Sequence, residues 1–494
     1  MQNLPPALYR AEQTREMDRL AIEDFGVSAN ILMERAGDAV FSLLRSRWPQ
    51  AVRIAVMCGS GNNAGDGFVI ARLARQQELE VTVFQVGDAR RLQGDALAAM
   101  QRMQGLDLSA IPFETQSLDD FDVVVDALLG TGLSGEVREP YLHAINAINQ
   151  CGTAVLAVDL PSGLNADSGM PCGVAVEADC SMSFIGLKQG MFCASGPDYC
   201  GEVFFDNLSV PLAVYERITP SAQRLGMPEP GAVLKPRQRT AHKGDHGHVL
   251  LVGGDTGMLG AVRLAGEAAL RAGAGLVSVA TRRKHAAHVS AQRPELMSHG
   301  IEVAEELKAL SAKATVIAIG PGLGQDEWAR EMLSIAVARD LPLVVDADAL
   351  NLLSQIELSR QNWILTPHPG EAARLLHSSA AQIQQDRFSA VTQLAHKFQA
   401  TVVLKGAGTL VMTPGSVPGI CTAGNPGMAT AGMGDVLTGV IAALLAQGLT
   451  QDDAARFGVC VHAGAADLAV RGIGERGLLA GDLMAPIRRL VNAG

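Results

Sequence analysis

Aromatic side chains are scarce in this sequence: Trp, Tyr and Phe together make up 4% of 494 residues. Single-stranded nucleic acids are bound on stacking rings, so that class of ligand is not indicated. Positive charge is short as well. Lys plus Arg number 40 against 51 Asp plus Glu, a formal net charge of −11, whereas nucleic-acid binding needs a basic footprint. No apolar run approaches the roughly 20 residues of a membrane-spanning helix; the longest candidate, Val436–Ala446, is broken by Thr438 and Gly439. The first twenty residues carry acids and no long apolar core, unlike a secretory signal. The eight Cys show neither CxxC pairing nor zinc-type His spacing and read as reduced thiols packed in a core. The expectation is a cytoplasmic protein with no nucleic-acid or membrane partner.

What is abundant is apolar and small. Hydrophobic residues make up 48% and glycines number 53, enough to pack two or three domains. The charge is uneven. Residues 1–215 hold 14 Lys plus Arg against 27 Asp plus Glu, while residues 216–494 hold 26 against 24. This asymmetry predicts two separately built units. The seam is expected at 219–235, where Pro228, Pro230 and Gly231 disfavour a helix, leaving domains at 1–218 and 236–494. Both halves alternate short apolar strands (Arg53–Met57, Val123–Ala127, Ala154–Val158; then Val249–Gly253, Val316–Ile319, Leu343–Val345, Val402–Leu404) with helical periodicity. That grammar predicts an α/β class with mainly parallel sheets, whose ligands bind beyond the carboxyl ends of the strands.

Polar residues cluster at those ends. After the first strand come Gly59–Gly61, Asn62, Asn63, Ala64, Gly65, Asp66 and Gly67. Glycines before a helix let backbone N–H groups face an anion; the alternative is a tight turn without ligand. No Lys follows, so this is not a P-loop, and the spacing is not that of a dinucleotide fingerprint. Asp126 and Asp159 end later strands, and Ser162 follows; with amide oxygens they compose an all-oxygen donor set suited to a hard cation, or else each Asp caps the next helix. Lys188, the only lysine before Lys235, either reaches an anionic group or is a solvated surface residue.

In the second half the segment 425–435 is the sharpest. Gly432, Met433 and Gly434 offer N–H groups at a helix N-terminus, an anion hole for a transferring phosphoryl group. Asp435 stands where it could take a proton from an attacking hydroxyl, or where it caps the helix. Lys405, Gly406, Ala407, Gly408 and Thr409 follow a strand and suit a nucleotide, or form a plain hairpin turn. Asp346 and Asp348 could hold hydrated magnesium. His368 is fixed between two prolines.

Taken together these stretches resemble the bifunctional NAD(P)H-hydrate repair enzymes. The first half is similar to the epimerase domain, through GNNAGDG at 61–67, DALLGTG at 126–132, VDLPSG at 158–163 and LKQG at 187–190. The second is similar to the ribokinase-like dehydratase domain, through VGGDTG at 252–257, GPGLG at 320–324, DADALN at 346–351, TPHPGE at 366–371, LKGAGT at 404–409 and NPGMATAGMGDVLTG at 425–439. Ala64 departs from the family, which usually has Gly there; a methyl needs negative φ. The resemblance implies a Rossmann-like three-layer domain followed by a ribokinase-like domain. It implies interconversion of R and S NADHX and NADPHX, then dehydration of the S form driven by ADP or ATP.

It also implies residue roles. Asn62–Asp66 and Gly130, Thr131, Gly132, Leu133, Ser134, Gly135 and Glu136 would contact the hydrate in the epimerase. Asn63, Asp126 and Ser162 would bind potassium, and Asp159 would act on the substrate with Lys188 nearby. In the dehydratase Ala261, Gly322, His368 and Asp435 would contact the hydrate, and Lys405–Thr409 with Gly434 would hold the adenine nucleotide. A homo-oligomer is implied. The rival readings are a ribokinase-like kinase of a small alcohol, and a nucleotide-sensing or protein-binding first half.

Overall fold

The computed structural model describes residues 4–133, 135–228, 231–291 and 293–492. The chain forms two compact units, Met1–Gln223 and Arg224–Gly494; their division falls inside the stretch expected to be a linker. Among the described residues no helix is long and apolar enough to cross a membrane.

The first unit is built on a seven-stranded sheet in the order Ala110–Pro112, Glu80–Gln85, Arg53–Cys58, Val123–Ala127, Ala154–Val158, Cys180–Phe184, Glu202–Asp206. All its ladders are parallel. Parallel strands are covered on both faces, so they read as apolar runs rather than as alternation; Val123–Ala127 is buried at every position. One apolar cluster (Val40, Phe41, Phe68, Ile70) fills one face and another (Met57, Phe84, Ile145, Ile148) the opposite face. Each such fully buried side chain contributes about 1.5–3 kcal/mol. Register pairs Met57 with Asp126 and Asp126 with Ala157, so the polar strand ends lie level at one edge. A short parallel pairing of Tyr9 with Lys188 ties the N-terminus to the same region.

Of the glycine-rich segment read as preceding a helix, residues 62–67 are themselves helical. The helix Asn62–Gln76 begins at once, with Gly61 as its extended N-cap. Its glycines serve close approach rather than turning. A Cβ on Gly65 would sit 2.5 Å from the Met33 methyl, and one on Gly67 would sit 2.8 Å from Ala127 Cβ and Cys58 Sγ. Ala64 lies inside the helix, fully buried, and is not among the residues with positive φ, so its methyl is accommodated without strain.

The second unit carries strands in the order Met297–Gly300, Leu276–Thr281, His248–Val252, Val316–Ile319, Leu343–Val345, Trp363–Leu365, Thr401–Leu404, Thr409–Met412, Gly419–Cys421. The ladders are parallel up to Thr401–Leu404 and antiparallel thereafter. Helices Leu259–Arg271, Met433–Ala446 and Gln451–Val470 pack an alanine- and valine-rich core on this sheet. The first two approach until a Cβ on Gly439 would lie 2.0 Å from the Ala265 carbonyl oxygen; only glycine permits that crossing. Ala261 precedes Ala265 by about one turn, as Asp435 precedes Gly439, so the crossing brings both to the same end.

Candidate active sites

In the first unit the strand ends frame a cavity of about 720 Å³. Asn62, Asn63, Asp66, Gly130, Thr131, Gly132, Leu133, Asp159 and Lys188 line it. Ala64 and Gly65 do not, because the helix turns both into the core. Gly135 and Glu136 lie exposed and outside the lining, and Ser134 is outside the described residues.

Lys188 is 2% exposed, not a solvated surface residue. Its ammonium pairs with Asp159 Oδ1 and donates to Ser183 Oγ and to the Phe184 carbonyl, each at 3.2 Å. Asp159 has φ +66°, a left-handed conformation that non-glycine residues hold only where the surroundings impose it. The Phe184 N–H donates to Asp159 Oδ1 at 3.2 Å, so neither Asp159 nor Lys188 is free to swing.

Two further carboxyls complete this centre. Asp18, from the helix Ala11–Glu23, lines the cavity; burial pushes it up to about 6, against the pull of Lys188 and with a push from Asp159. Burial and the charges of Asp159 and Asp18 likewise hold Asp66 well above the usual carboxylate range. Sequence reading missed Asp18. The available signal was an acid four residues after Thr14, on the face that buries Thr14, Met17 and Ala21.

Asp126 caps no helix. Completely buried, it accepts from the Ser162 N–H (2.8 Å), the Ser162 hydroxyl (2.6 Å) and the Leu128 N–H (3.2 Å). Burial lifts it to about 6, although those hydrogen bonds pull it down. Ser162 Oγ lies 3.1 Å from the Leu129 carbonyl oxygen. Asn63 packs beside Gly130, and its buried Nδ2 has no partner.

In the second unit the centre forms around Lys405. Its ammonium meets Asp346 Oδ1 at 2.7 Å and Glu371 Oε2 at 3.7 Å. Burial opposes its charge, but Asp346, Glu371 and Asp435 outweigh burial and hold its pKa above the usual value. Asp346 Oδ2 accepts from the Thr438 hydroxyl at 2.7 Å. Asp435 is the third residue of the helix that starts at Met433, with Gly432 as N-cap at φ +91°, so it is not the cap. It makes no hydrogen bond or ion pair among the described residues. Burial and the charge of Asp346 push it up to about 7, against the pull of Lys405. A Cβ on Gly434 would lie 3.4 Å from the Lys405 ammonium, so the helix mouth opens directly onto that lysine.

His368 caps its own helix through a bond from the Gly370 N–H to Nδ1 (3.0 Å), and its Nε2 lies 3.4 Å from Glu371 Oε1. Burial and the nearby Lys405 lower its pKa. Gly322, at φ +57°, sits where a Cβ would meet the Met258 carbonyl oxygen at 2.6 Å and Ala261 Cβ at 3.3 Å. Lys405–Gly408 is the loop of a hairpin, Leu404 pairing with Leu410; the plain-turn reading describes its topology. Glu371, Thr438, the wholly buried Arg387 and His462 were missed by sequence reading. His462 is pushed down to about 4 by burial, and its Nε2 is unpartnered.

Residues 249–489 match the family described as NAD(P)H-hydrate dehydratase, and residues 29–190 the family described as YjeF-related protein N-terminus. The chain is 50% identical to the bifunctional NAD(P)H-hydrate repair enzyme Nnr of Coxiella burnetii, over 98% of this chain and 99% of that one. It is 42% identical to the enzyme of the same name from Escherichia coli K12, over 99% and 95%. A solved ribokinase-like superfamily protein from Enterococcus faecalis is 30% identical, with TM-score 0.51, covering 56% of this chain and 96% of that one. With both halves matched in order and relatives aligned almost end to end, the chain belongs to the family of bifunctional NAD(P)H-hydrate repair enzymes.

Proposed function

We propose that the first unit exchanges R and S NAD(P)HX at the Asp159–Lys188 centre, and that the second dehydrates the S hydrate at the expense of ADP, with Asp435 as base. The observation that carries the reading is Asp435: an unpartnered carboxyl inside a helix mouth of free amides, facing Lys405. A carboxylate beside an anion hole repels phosphate unless it takes up a proton, and a group poised near 7 is suited to that exchange.

Hydroxide is a poor leaving group. Asp435 takes the proton of the ring hydroxyl, whose oxygen attacks the terminal phosphorus of the nucleotide. The Gly432–Gly434 amides and Lys405 stabilise the transferring phosphoryl group. The ring nitrogen lone pair then expels phosphate, and loss of the neighbouring ring proton restores the double bond of NAD(P)H.

At the other centre the inverted carbon bears both the hydroxyl and the ring nitrogen. Asp159 takes the hydroxyl proton as the C–N bond opens, and Lys188 returns a proton to nitrogen. Reclosure on the opposite face reverses both transfers. Asp159 balances the charge of the lysine, and burial beside it favours the protonated forms of Asp18 and Asp66.

The set of Asp126, Ser162 and the Leu129 carbonyl fits a potassium ion, being all oxygen with one buried carboxylate; Asn63 would join it with its amide turned so that Oδ1 takes the place of the unpartnered Nδ2. Such an ion would supply positive charge behind the strand ends. Asp346 offers magnesium less, because Lys405 and Thr438 occupy its two oxygens; no step is routed through that metal.

The test is recovery of nicotinamide absorbance from separated R and S hydrates, with ADP or ATP. Recovery from both epimers, with nucleotide consumed, is expected. A stable phosphorylated product without that absorbance would instead identify a kinase of a small alcohol.

A further inference from the structure

Arg387 is completely buried and forms no ion pair among the described residues. It opens the helix Arg387–Phe398 and stands 18 residues before Lys405. Burying a guanidinium without a carboxylate is costly unless its donors are satisfied. Here the two Nη groups are bound, mostly by one loop, while the buried Nε has no partner among the described residues. Nη2 donates to the carbonyls of Leu404 (3.2 Å), Lys405 (3.3 Å) and Gly408 (3.2 Å), while Nη1 donates to Lys405 O (3.3 Å) and to Gln384 Oε1 (2.7 Å).

These bonds sort the polarity of the loop. The Gly406 carbonyl is taken by the Thr409 hydroxyl at 3.0 Å, so the carbonyls of residues 404, 405, 406 and 408 are all turned to partners within the protein. The N–H of Lys405 is taken by the Pro367 carbonyl. The N–H groups of Gly406, Ala407 and Gly408 donate to nothing among the described residues, and this part of the loop is open to solvent or half so. The loop therefore presents donors outward and acceptors inward, over a fixed positive charge. Gly406 is glycine for the same reason: at φ +130° its Cβ would lie 2.8 Å from Arg387 Nη1.

We propose that Arg387 is the positioning residue of the nucleotide loop: by drawing the carbonyls of Leu404, Lys405 and Gly408 inward, it leaves the intervening amides to bind the acceptor atoms of the nucleotide. Arg387 touches no ligand and acts through the loop. The inference rests on reading Lys405–Thr409 as the nucleotide-binding loop.

The experiment is steady-state dehydration of the S hydrate by the full chain carrying Arg387→Lys, which keeps the charge and loses the fork. The nucleotide KM should rise about tenfold, the cost of roughly one well-placed hydrogen bond. The hydrate KM and the epimerisation rate should stay at parental values, and kcat should change less than about threefold. A purely structural role would lower yield and thermal stability while leaving both KM values alone, and that result overturns the proposal. A parallel Lys405→Ala variant separates the two readings. If it leaves nucleotide KM unchanged, the loop is not the nucleotide site and the inference falls with that reading. If it raises nucleotide KM while Arg387→Lys does not, only the inference fails. Should Arg387→Lys not accumulate as folded protein, Gln384→Ala decides: a selective rise in nucleotide KM of about twofold to threefold supports the proposal, and parental KM refutes it.

Discussion

The two units solve a similar electrostatic problem with different surroundings. Each places one lysine among three carboxyls at a strand edge: Lys188 with Asp159, Asp18 and Asp66, and Lys405 with Asp346, Glu371 and Asp435. The first centre sits at a walled cavity whose lining also carries unbonded amides, at Gly130–Gly132 and at the mouth of the helix Asn62–Gln76. At the second the lysine itself adjoins such amides: a Cβ on Gly434 would lie 3.4 Å from its ammonium, and the Gly406–Gly408 loop follows it directly. Free amides beside a lysine suit a group whose negative charge is being transferred. In the proposed reading the first centre moves protons and the second a phosphoryl group.

The largest effect should come from removing the base in the second centre. Asp435→Asn is expected to lower dehydration by about 1,000-fold or more, with R-to-S exchange unchanged. The parental dehydration rate should rise as pH passes upward through about 7, where Asp435 loses its proton. The stability consequence has the opposite sense. A carboxyl whose folded pKa lies above its unfolded value costs stability as pH rises from the usual carboxylate range to about 7, and the full cost persists above that. Asp435→Asn should thus raise the melting temperature at pH 8 and change it less at pH 5, a contrast visible by calorimetry.

Next in size is the first centre. Lys188→Met is expected to slow epimerisation by about 100-fold or more, because it removes the proton donor and strands Asp159 without its partner. Turnover of pure S hydrate should persist. Equal losses on both epimers would break the division of labour. Smallest is Ala64→Gly. A glycine inside the helix Asn62–Gln76 should cost about 1 kcal/mol in urea unfolding and leave the epimerisation rate unchanged, since Ala64 faces the core.

Much of this comparison was legible in sequence. Buried parallel strands are short apolar runs, so the residues that end them stand out: Asp126, Asp159 and Lys405 were found that way, the glycines before Asp435 as the mouth of a helix, and the sheet order brings the first-unit strand ends side by side. The segment 61–67 misled because glycine signals a turn when it is read locally. Here it allows a helix to press on Met33, Ala127 and Cys58, which are remote in sequence. Asp18, Arg387 and His462 were invisible for a related reason. Each acts on residues brought near only by the tertiary fold, Asp18 on Lys188 and Arg387 on Leu404–Gly408. Asp346 shows the reverse: its strand-end position suggested a metal, and the fold turned it to Lys405 and Thr438 instead.

The most direct measurement follows the ring oxygen. S hydrate labelled with heavy oxygen in its hydroxyl is turned over with ADP, and the released phosphate is analysed by mass. Attack of that hydroxyl on the terminal phosphorus places the label in inorganic phosphate, which is the expected result. Label recovered only in water would mean that hydroxide leaves without being phosphorylated, and the role given to Asp435 and the amides beside it would be contradicted.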